Sequence, residues 1–201
     1  MIALIDYGAG NVRSVHKALT AVGADVTVTD RPDVVSAADK VVMPGVGAFG
    51  DCMMSLERLG LIPAIHRVVS EDVPFLGICV GMQVLFEYGE ELGGHPGLGL
   101  LPGRVVRFEL PSAYKVPHTG WNQIRPVEST PLLATLPEGA WAYFNHGYFC
   151  QAAPEETLAV TDYGQDFPSV VGRGRLYGVQ FHPEKSQTVG LKLLRSFVER
   201  G

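Results

Sequence analysis

Cysteine, basic residues and long apolar runs are all scarce in this sequence. The three cysteines, Cys52, Cys79 and Cys150, are odd in number and widely spaced, and they form no Cys-x-x-Cys pair. This usage excludes a disulfide framework and a cysteine-based zinc site, and it suits a reducing compartment. We therefore expect a cytoplasmic protein whose thiols are free and whose site holds no metal.

Charge and hydropathy exclude two further classes of protein. The formal net charge is −5, from 16 basic and 21 acidic side chains, so the basic surface typical of nucleic-acid-binding proteins is missing. No apolar run approaches the length that spans a membrane, and the start lacks the basic region of a secretory signal. We expect neither a nucleic-acid partner nor a membrane.

Apolar residues are plentiful, at 46% of 201, and they alternate between two kinds of pattern. Buried strand-like runs at 2–5, 24–29 and 40–43 are separated by stretches with helical spacing. This alternation predicts an open, mostly parallel sheet with flanking helices. Short strand-like runs after residue 97 predict an added region of antiparallel strands against the edge of the sheet. We expect one α/β domain over 1–201.

The central motif is a short apolar run that ends at Cys79. Val73 to Ile78 is typical of a buried strand, 82–88 of a helix, and Gly77 and Gly81 flank the thiol. A nucleophile at the apex of a strand–turn–helix is the arrangement of the nucleophile elbow, where the first helical amides would favour a thiolate. A buried cysteine at an ordinary strand end is the alternative, and this stretch alone does not decide between them.

A second motif, His182-Pro183-Glu184, follows another predicted strand, Leu176 to Phe181. A thiol nucleophile needs a base, and the base needs an orienting group. Alternate residues of an extended chain point the same way, so His182 and Glu184 can share one face. Alone, this motif could be a solvated turn. Together with Cys79, at the strand ends where a parallel sheet gathers its functional groups, it predicts a Cys-His-Glu triad.

The segment Pro44-Gly45-Val46-Gly47 follows the strand predicted at 40–43. Its glycines would let a peptide plane turn its N–H inward, and the N–H of Val80, directly after the thiol, is the natural second donor. Val46 and Val80 are therefore the predicted backbone donors of an oxyanion hole. A plain tight turn is the alternative.

These motifs together resemble the class I glutamine amidotransferases. The resemblance covers essentially the whole chain and rests first on 77–83 and 182–184. Within that family, four other segments resemble the glutaminase subunits of imidazole glycerol phosphate synthase: 6–11, 44–49, 120–122 and 143–148.

The resemblance implies that glutamine is the substrate and that no cofactor is needed. Cys79 would attack the side-chain amide, His182 would carry the proton, and Glu184 would orient His182. Glu91 would meet the substrate ammonium in competition with the adjacent Glu90, and Gly147, where a serine is more usual, would offer only its backbone. The full set of implied glutamine contacts is Gly47, Gln83, Glu91, His146, Gly147 and Tyr148.

The resemblance also implies a partner. The ammonia would pass to a (β/α)8-barrel cyclase subunit that makes imidazole glycerol phosphate and an aminoimidazole carboxamide ribotide in histidine biosynthesis. We expect Asn11, Trp121, Asn122 and Lys185 at or near that interface, with a buried core position as the alternative for Trp121. Rival functions are a glutaminase serving another synthase, a hydrolase that works alone, and a non-enzymatic scaffold subunit.

Overall fold

The computed structural model describes residues 1–8 and 11–201, which form helices and strands in alternation through the first half of the chain. The helices are α1 (Val12–Ala21), α2 (Pro32–Ser36), α3 (Phe49–Arg58), α4 (Leu61–Ser70), α5 (Val80–Gln83) and α6 (Gln187–Arg200). The strands are β1 (Ile2–Ile5), β2 (Val26–Thr29), β3 (Lys40–Gly45), β4 (Phe75–Cys79), β5 (Phe86–Gly89), β6 (His95–Pro96), β7 (Leu101–Arg107), β8 (His118–Gln123), β9 (Arg125–Pro126), β10 (Trp141–His146), β11 (Tyr148–Ala152), β12 (Thr157–Asp162), β13 (Asp166–Arg173) and β14 (Leu176–Val179).

The main sheet has the order β2-β1-β3-β4-β14-β13-β12-β9 in the described part of the chain. The strands from β2 to β14 pair in parallel, and β13, β12 and β9 continue the sheet antiparallel. The predicted fold class, an open and mostly parallel α/β sheet with added antiparallel strands, is confirmed. Strands β1, β3, β4 and β14 are short and almost fully buried because both faces of the sheet are covered, whereas the edge strand β2 is only partly buried.

Helices cover both faces because the connections run in opposite directions along the sheet. The β1–α1–β2 crossover moves outward from β1, while β2–α2–β3 and β3–β4 move back across it, so right-handed crossovers place α1 opposite α2, α3 and α4. The contacts agree, since α1 packs against α6, and α4 packs against α2 and α3. The sequence predicts a helical stretch over 51–70 with an interruption near Gly60 to Pro63. The structure places that break at Gly60, whose φ is 65° and which separates α3 from α4.

The helix predicted over 82–88 is wrong. The helix α5 ends at Gln83 after one turn, and β5 begins at Phe86, whose ring is fully buried. Parallel pairing of β5 with β7 holds this segment extended, so tertiary pairing overrides the local helical pattern.

The added strands are arranged differently from the prediction. Three of them lengthen the main sheet itself, whereas β10 with β8 and β11-β7-β5-β6 form two further sheets. The strands predicted after residue 97 lay at 104–110, 124–127, 140–144, 157–161, 169–172 and 176–181, so strands β5, β6, β8 and β11 had no counterpart among the predicted strands. In the described residues, no helix is both long enough and apolar enough to cross a membrane.

Candidate active site

The turn after β4 carries Cys79 in a backbone conformation that few non-glycine residues adopt. Its φ is 55° and its ψ is −112°, and α5 begins at the next residue. A Cβ at Gly77 would collide with the Gly81 carbonyl, and a Cβ at Gly81 would collide with the Met43 carbonyl. The turn therefore requires both glycines, and it holds Cys79 in the strained geometry of a nucleophile elbow.

His182 and Glu184 lie directly beyond β14, the strand that pairs in parallel with β4. The His182 Nδ1 atom lies 3.0 Å from Glu184 Oε1, and the two side chains are 3% and 1% exposed. Burial lowers the pKa of His182, but its hydrogen bonds to Cys79 and Glu184 outweigh burial and set that pKa at about 9. The His182 imidazole therefore carries a proton at pH 7, next to the sulfur of Cys79.

Asn11 lies behind this pair. Its Nδ2 donates to Glu184 Oε1 at 3.4 Å, so a residue expected at the partner interface also contacts the candidate triad. Glu184 Oε2 is buried and has no hydrogen-bond partner among residues 1–8 and 11–201.

The sequence analysis missed Gln180, which is fully buried beside the thiol. Its Nε2 donates to Cys79 Sγ at 3.8 Å, and its Oε1 accepts from Gln83 Nε2 at 3.1 Å. The signal was present in the sequence, since Gln180 stands two residues before His182 on the same strand end and so faces the same side.

A pocket with a volume of about 180 Å³ opens over the thiol. That volume is below the range of drug-sized ligand sites and suits a small substrate. Eleven of the residues predicted for the site line it, whereas Pro117 and Asn145 line it unpredicted. The predicted lining residues are Val46, Gly47, Cys79, Val80, Gln83, Glu91, His146, Gly147, Tyr148, His182 and Lys185.

The glycine-rich segment forms the wall of the pocket next to the elbow. Gly45 pairs with Cys79 across β3 and β4, and Gly47 has a φ of 97°. The Tyr7 hydroxyl donates to the Pro44 carbonyl at 2.7 Å and so fixes the start of the segment. Val46 is 39% exposed and faces the pocket opening together with Val80.

Of the two adjacent glutamates, only Glu91 lines the pocket. Its Oε2 accepts the N–H of Phe49 at 2.8 Å, at the first residue of α3. Glu90 instead lies within 4.0 Å of Arg104 in an exposed pair. Of Glu90 and Glu91, the two residues considered for contact with the substrate ammonium, only Glu91 is therefore in a position to make it.

The amide of Gln83 is partly committed to the protein. Its Nε2 donates to the Tyr148 carbonyl at 3.0 Å as well as to Gln180, which uses both amide hydrogens. The group that Gln83 can offer a ligand is its carbonyl oxygen, an acceptor for N–H donors.

Two buried histidines support the Tyr148 carbonyl. His146 Nδ1 lies 2.8 Å from that carbonyl, which can only accept, and His146 Nε2 lies 3.1 Å from His118 Nδ1. Burial lowers the pKa of His118 to about 4 and that of His146 to about 3, so both rings are neutral at pH 7. His146 thus serves the pocket with its side chain, which the sequence analysis did not foresee.

The outer face of β8 and β10 carries aromatic side chains beside the pocket. Trp121 is 45% exposed and packs edge-on against Tyr143 at 6.2 Å between ring centroids. The Lys185 ammonium lies 5.7 Å from the Tyr143 ring. The alternative of a buried Trp121 is therefore wrong, whereas Asn122 is half-buried and donates to the Asp162 carbonyl at 2.8 Å.

This fold and this arrangement of a strained cysteine, histidine and glutamate define a class of protein. The family described as glutamine amidotransferase class-I matches residues 3–200, and the chain belongs to that family. A solved structure described as a glutamine amidotransferase has the same fold, with a TM-score of 0.77 and 19% identity over 99% of this chain and 98% of its own. A second, described as PurLQS from Thermotoga maritima, gives a TM-score of 0.75 and 18% identity over 98% of this chain and 96% of its own.

Three relatives with higher sequence identity to this chain share one protein name. The chain is 51% identical to the imidazole glycerol phosphate synthase subunit HisH of Symbiobacterium thermophilum, over 98% of this chain and 92% of the relative. It is 50% identical to the protein of the same name from Desulfitobacterium hafniense, over 98% and 93%. For the HisH of Chloroflexus aurantiacus the identity is 51%, over 98% and 95%.

Proposed function

We propose that this chain is the glutaminase subunit of an imidazole glycerol phosphate synthase, with residues 1–201 acting as one amidotransferase domain. The observation that carries the proposal is the strained Cys79 beside the buried His182–Glu184 pair, at the floor of a small pocket. Relatives about 50% identical over 98% of the chain, named as HisH subunits of that synthase, support it.

In the proposed reaction, His182 already holds the proton that Cys79 has lost, and the Cys79 thiolate sulfur attacks the side-chain amide carbon of glutamine. The carbonyl π electrons move to oxygen, where the N–H groups of Val46 and Val80 stabilise the charge. The tetrahedral intermediate collapses as His182 protonates the amide nitrogen, so ammonia leaves and a glutamyl thioester remains. Glu184 holds the ring of His182 for both transfers.

Hydrolysis of the thioester completes the cycle. His182, now neutral, takes a proton from water as the water oxygen attacks the thioester carbon. The C–S bond breaks, glutamate leaves, and the proton on His182 restores the starting pair. The net change is glutamine and water to glutamate and ammonia, which needs no cofactor.

The far end of glutamine binds at the pocket wall. Glu91 supplies the negative charge for the ammonium, the Gln83 carbonyl oxygen accepts from an N–H, and the backbone at Gly47, His146, Gly147 and Tyr148 completes the contacts. All six residues line the pocket.

The ammonia passes to a (β/α)8-barrel cyclase subunit of the same synthase, which consumes it in histidine biosynthesis. The docking surface is the aromatic face with Trp121, Asn122 and Lys185, together with Asn11. Lys185 both lines the pocket and lies on this face, so docking is adjacent to the chemistry. The three free cysteines suit a cytoplasmic location.

The test is glutamate release by the purified chain, alone and then with a cyclase subunit and its nucleotide substrate. We expect slow release alone, because the Gly45–Val46 peptide rests in an unproductive orientation for the oxyanion. Release should rise many-fold with the partner and its ligand, which shift that peptide to its productive orientation, and Cys79→Ala should release none. Fast release that ignores the partner would identify a hydrolase that works alone and would contradict the subunit assignment.

A further inference from the structure

A second polar side chain, besides His182, reaches the Cys79 sulfur from the neighbouring strand. Val179 pairs with Ile78 in the parallel register of β14 and β4, so the next residue along, Gln180, lies beside Cys79. Gln180 is fully buried. A buried amide is costly unless it is hydrogen-bonded, so its partners determine why it is there.

Hydrogen bonds fix which way the Gln180 amide points. The Tyr148 carbonyl can only accept, so Gln83 turns its NH₂ group toward that carbonyl. The same NH₂ group reaches Gln180, which must present its Oε1 to it, at 3.1 Å. The Gln180 NH₂ group is therefore turned toward Cys79 Sγ, 3.8 Å away.

The strength of this last bond depends on the state of the sulfur. A thiol is a weak acceptor, whereas a thiolate accepts a charge-assisted hydrogen bond. A donor fixed at the sulfur therefore favours the thiolate over both the thiol and the thioester.

We propose that Gln180 is a further catalytic residue of this site, whose N–H stabilises the Cys79 thiolate. The inference rests on the proposed glutaminase function. The bond is strong while the Cys79 proton rests on His182, weakens when the C–S bond forms, and strengthens again when that bond breaks and the electron pair returns to sulfur. Gln180 transfers no proton.

The other groups around the sulfur do not replace this donor. Burial raises the pKa of Cys52 to about 12 and raises the pKa values of Tyr7 and Cys150 well above their ordinary values, so these three stay neutral at physiological pH. His182, with Glu184 behind it, is the charged pair next to the sulfur, and Glu91 and Lys185 are the other charged groups of the described residues that line the pocket over it.

The test is the pH dependence of alkylation of Cys79 by iodoacetamide, with labelling assigned by peptide mass spectrometry. Gln180→Met removes the donor at similar volume, and Gln180→Glu keeps the acceptor for Gln83 while it removes the donor. Ser169→Ala is the matched control, because Ser169 is fully buried on β13 and its hydroxyl has no hydrogen-bond partner in the described residues.

We expect the midpoint of the rate–pH curve to rise by about one unit in Gln180→Met, so that alkylation below the midpoint slows ~10-fold. Gln180→Glu should shift further in the same direction, since a carboxylate repels the thiolate, and Ser169→Ala should follow the unmodified protein. Curves for both Gln180 variants that superimpose on that of the unmodified protein would overturn the proposal.

A measurement on the unmodified chain guards against loss of folding in the variants. In protein labelled with ¹⁵N-glutamine, the side-chain NH₂ resonance of Gln180 should titrate at the midpoint of the alkylation curve and shift when Cys79 is alkylated. An unresponsive resonance would equally overturn the role of Gln180. Neither experiment uses free glutamine as a substrate, so both test Gln180 independently of the proposed function. The proposed function would fail on a different result, namely no glutamate release by the unmodified protein in the presence of a cyclase subunit.

Discussion

At the scale of single residues, the account depends on how His182 holds its proton. Burial alone would lower its pKa, but the hydrogen bonds to Cys79 and Glu184 raise it from 6.5 to about 9. A group with a raised pKa in the folded state stabilises the fold fully below its unfolded pKa, and this contribution is lost as pH rises through the folded value.

Stability should therefore depend on pH through the His182–Glu184 pair. The unmodified chain should exceed Glu184→Gln in free energy of unfolding at pH 6.5, and the gap should narrow as the pH approaches and passes 9. Urea denaturation at a series of pH values measures this. The exposed Glu90→Gln serves as control and should show a flat difference, and a flat difference for Glu184→Gln would contradict the pairing.

Residue types and spacing predicted the triad positions but not all of their neighbours. Cys79, His182 and Glu184 stand in motifs whose residue types suggest their chemistry. The one signal for Gln180 is its position two residues before His182, and His118 stands in no motif. A glutamine or histidine in a strand is usually a packing or surface residue, so the sequence alone gives neither a role. Their hydrogen-bond partners, Gln83 and His146, are distant in sequence.

At the scale of elements, the elbow between β4 and α5 is held by close backbone contacts. Gly81 packs against the Met43 carbonyl of β3, and Gly45 of the same strand packs against the Gly81 amide. The end of β3 up to Gly45 and the elbow are therefore one packed unit.

Gly81→Ala should destabilise the chain by on the order of 3 kcal/mol, because its Cβ collides with backbone that cannot move freely. Gly147→Ala is the matched control, since its Cβ would lie 3.7 Å from Val116 Cγ1, an ordinary contact. Thermal and urea unfolding measure both. Equal stability of the two variants would show that the elbow tolerates a side chain.

Helices and strands could be predicted where residues close in sequence determine them. The prediction failed where a strand forms by pairing with a segment distant in sequence. The alternation of strands and helices over the first half gave β1, β3 and α1 nearly in place. The sequence predicts a helix over 82–88, yet the helix α5 ends at Gln83 and β5 is held extended by its pairing with β7. No local signal reports such a pairing.

At the scale of the whole molecule, the aromatic face of β8 and β10 lies next to the pocket, and Lys185 belongs to both. Trp121 and Lys185 both approach Tyr143, and Lys185 also lines the pocket. A partner that covers this face would contact Lys185, which also lines the pocket.

Trp121→Ala should weaken binding to the cyclase subunit about 30-fold, as expected for a central aromatic anchor. Val127→Ala is the control, because Val127 is 52% exposed and follows β9 at the far edge of the main sheet. Titration calorimetry measures both dissociation constants. If the dissociation constant of Trp121→Ala equalled that of Val127→Ala, Trp121 would not lie at the interface with the cyclase subunit.

In the proposed reaction glutamine forms a glutamyl thioester on Cys79, and an acid quench during turnover should trap that thioester before it is hydrolysed. The chain, with a cyclase subunit and its nucleotide substrate, is mixed with glutamine, quenched and examined by peptide mass spectrometry. We expect one glutamyl group on the peptide that contains Cys79, sensitive to hydroxylamine, and none in Cys79→Ala. Sustained glutamate release by Cys79→Ala, with no adduct on the unmodified chain, would contradict the account.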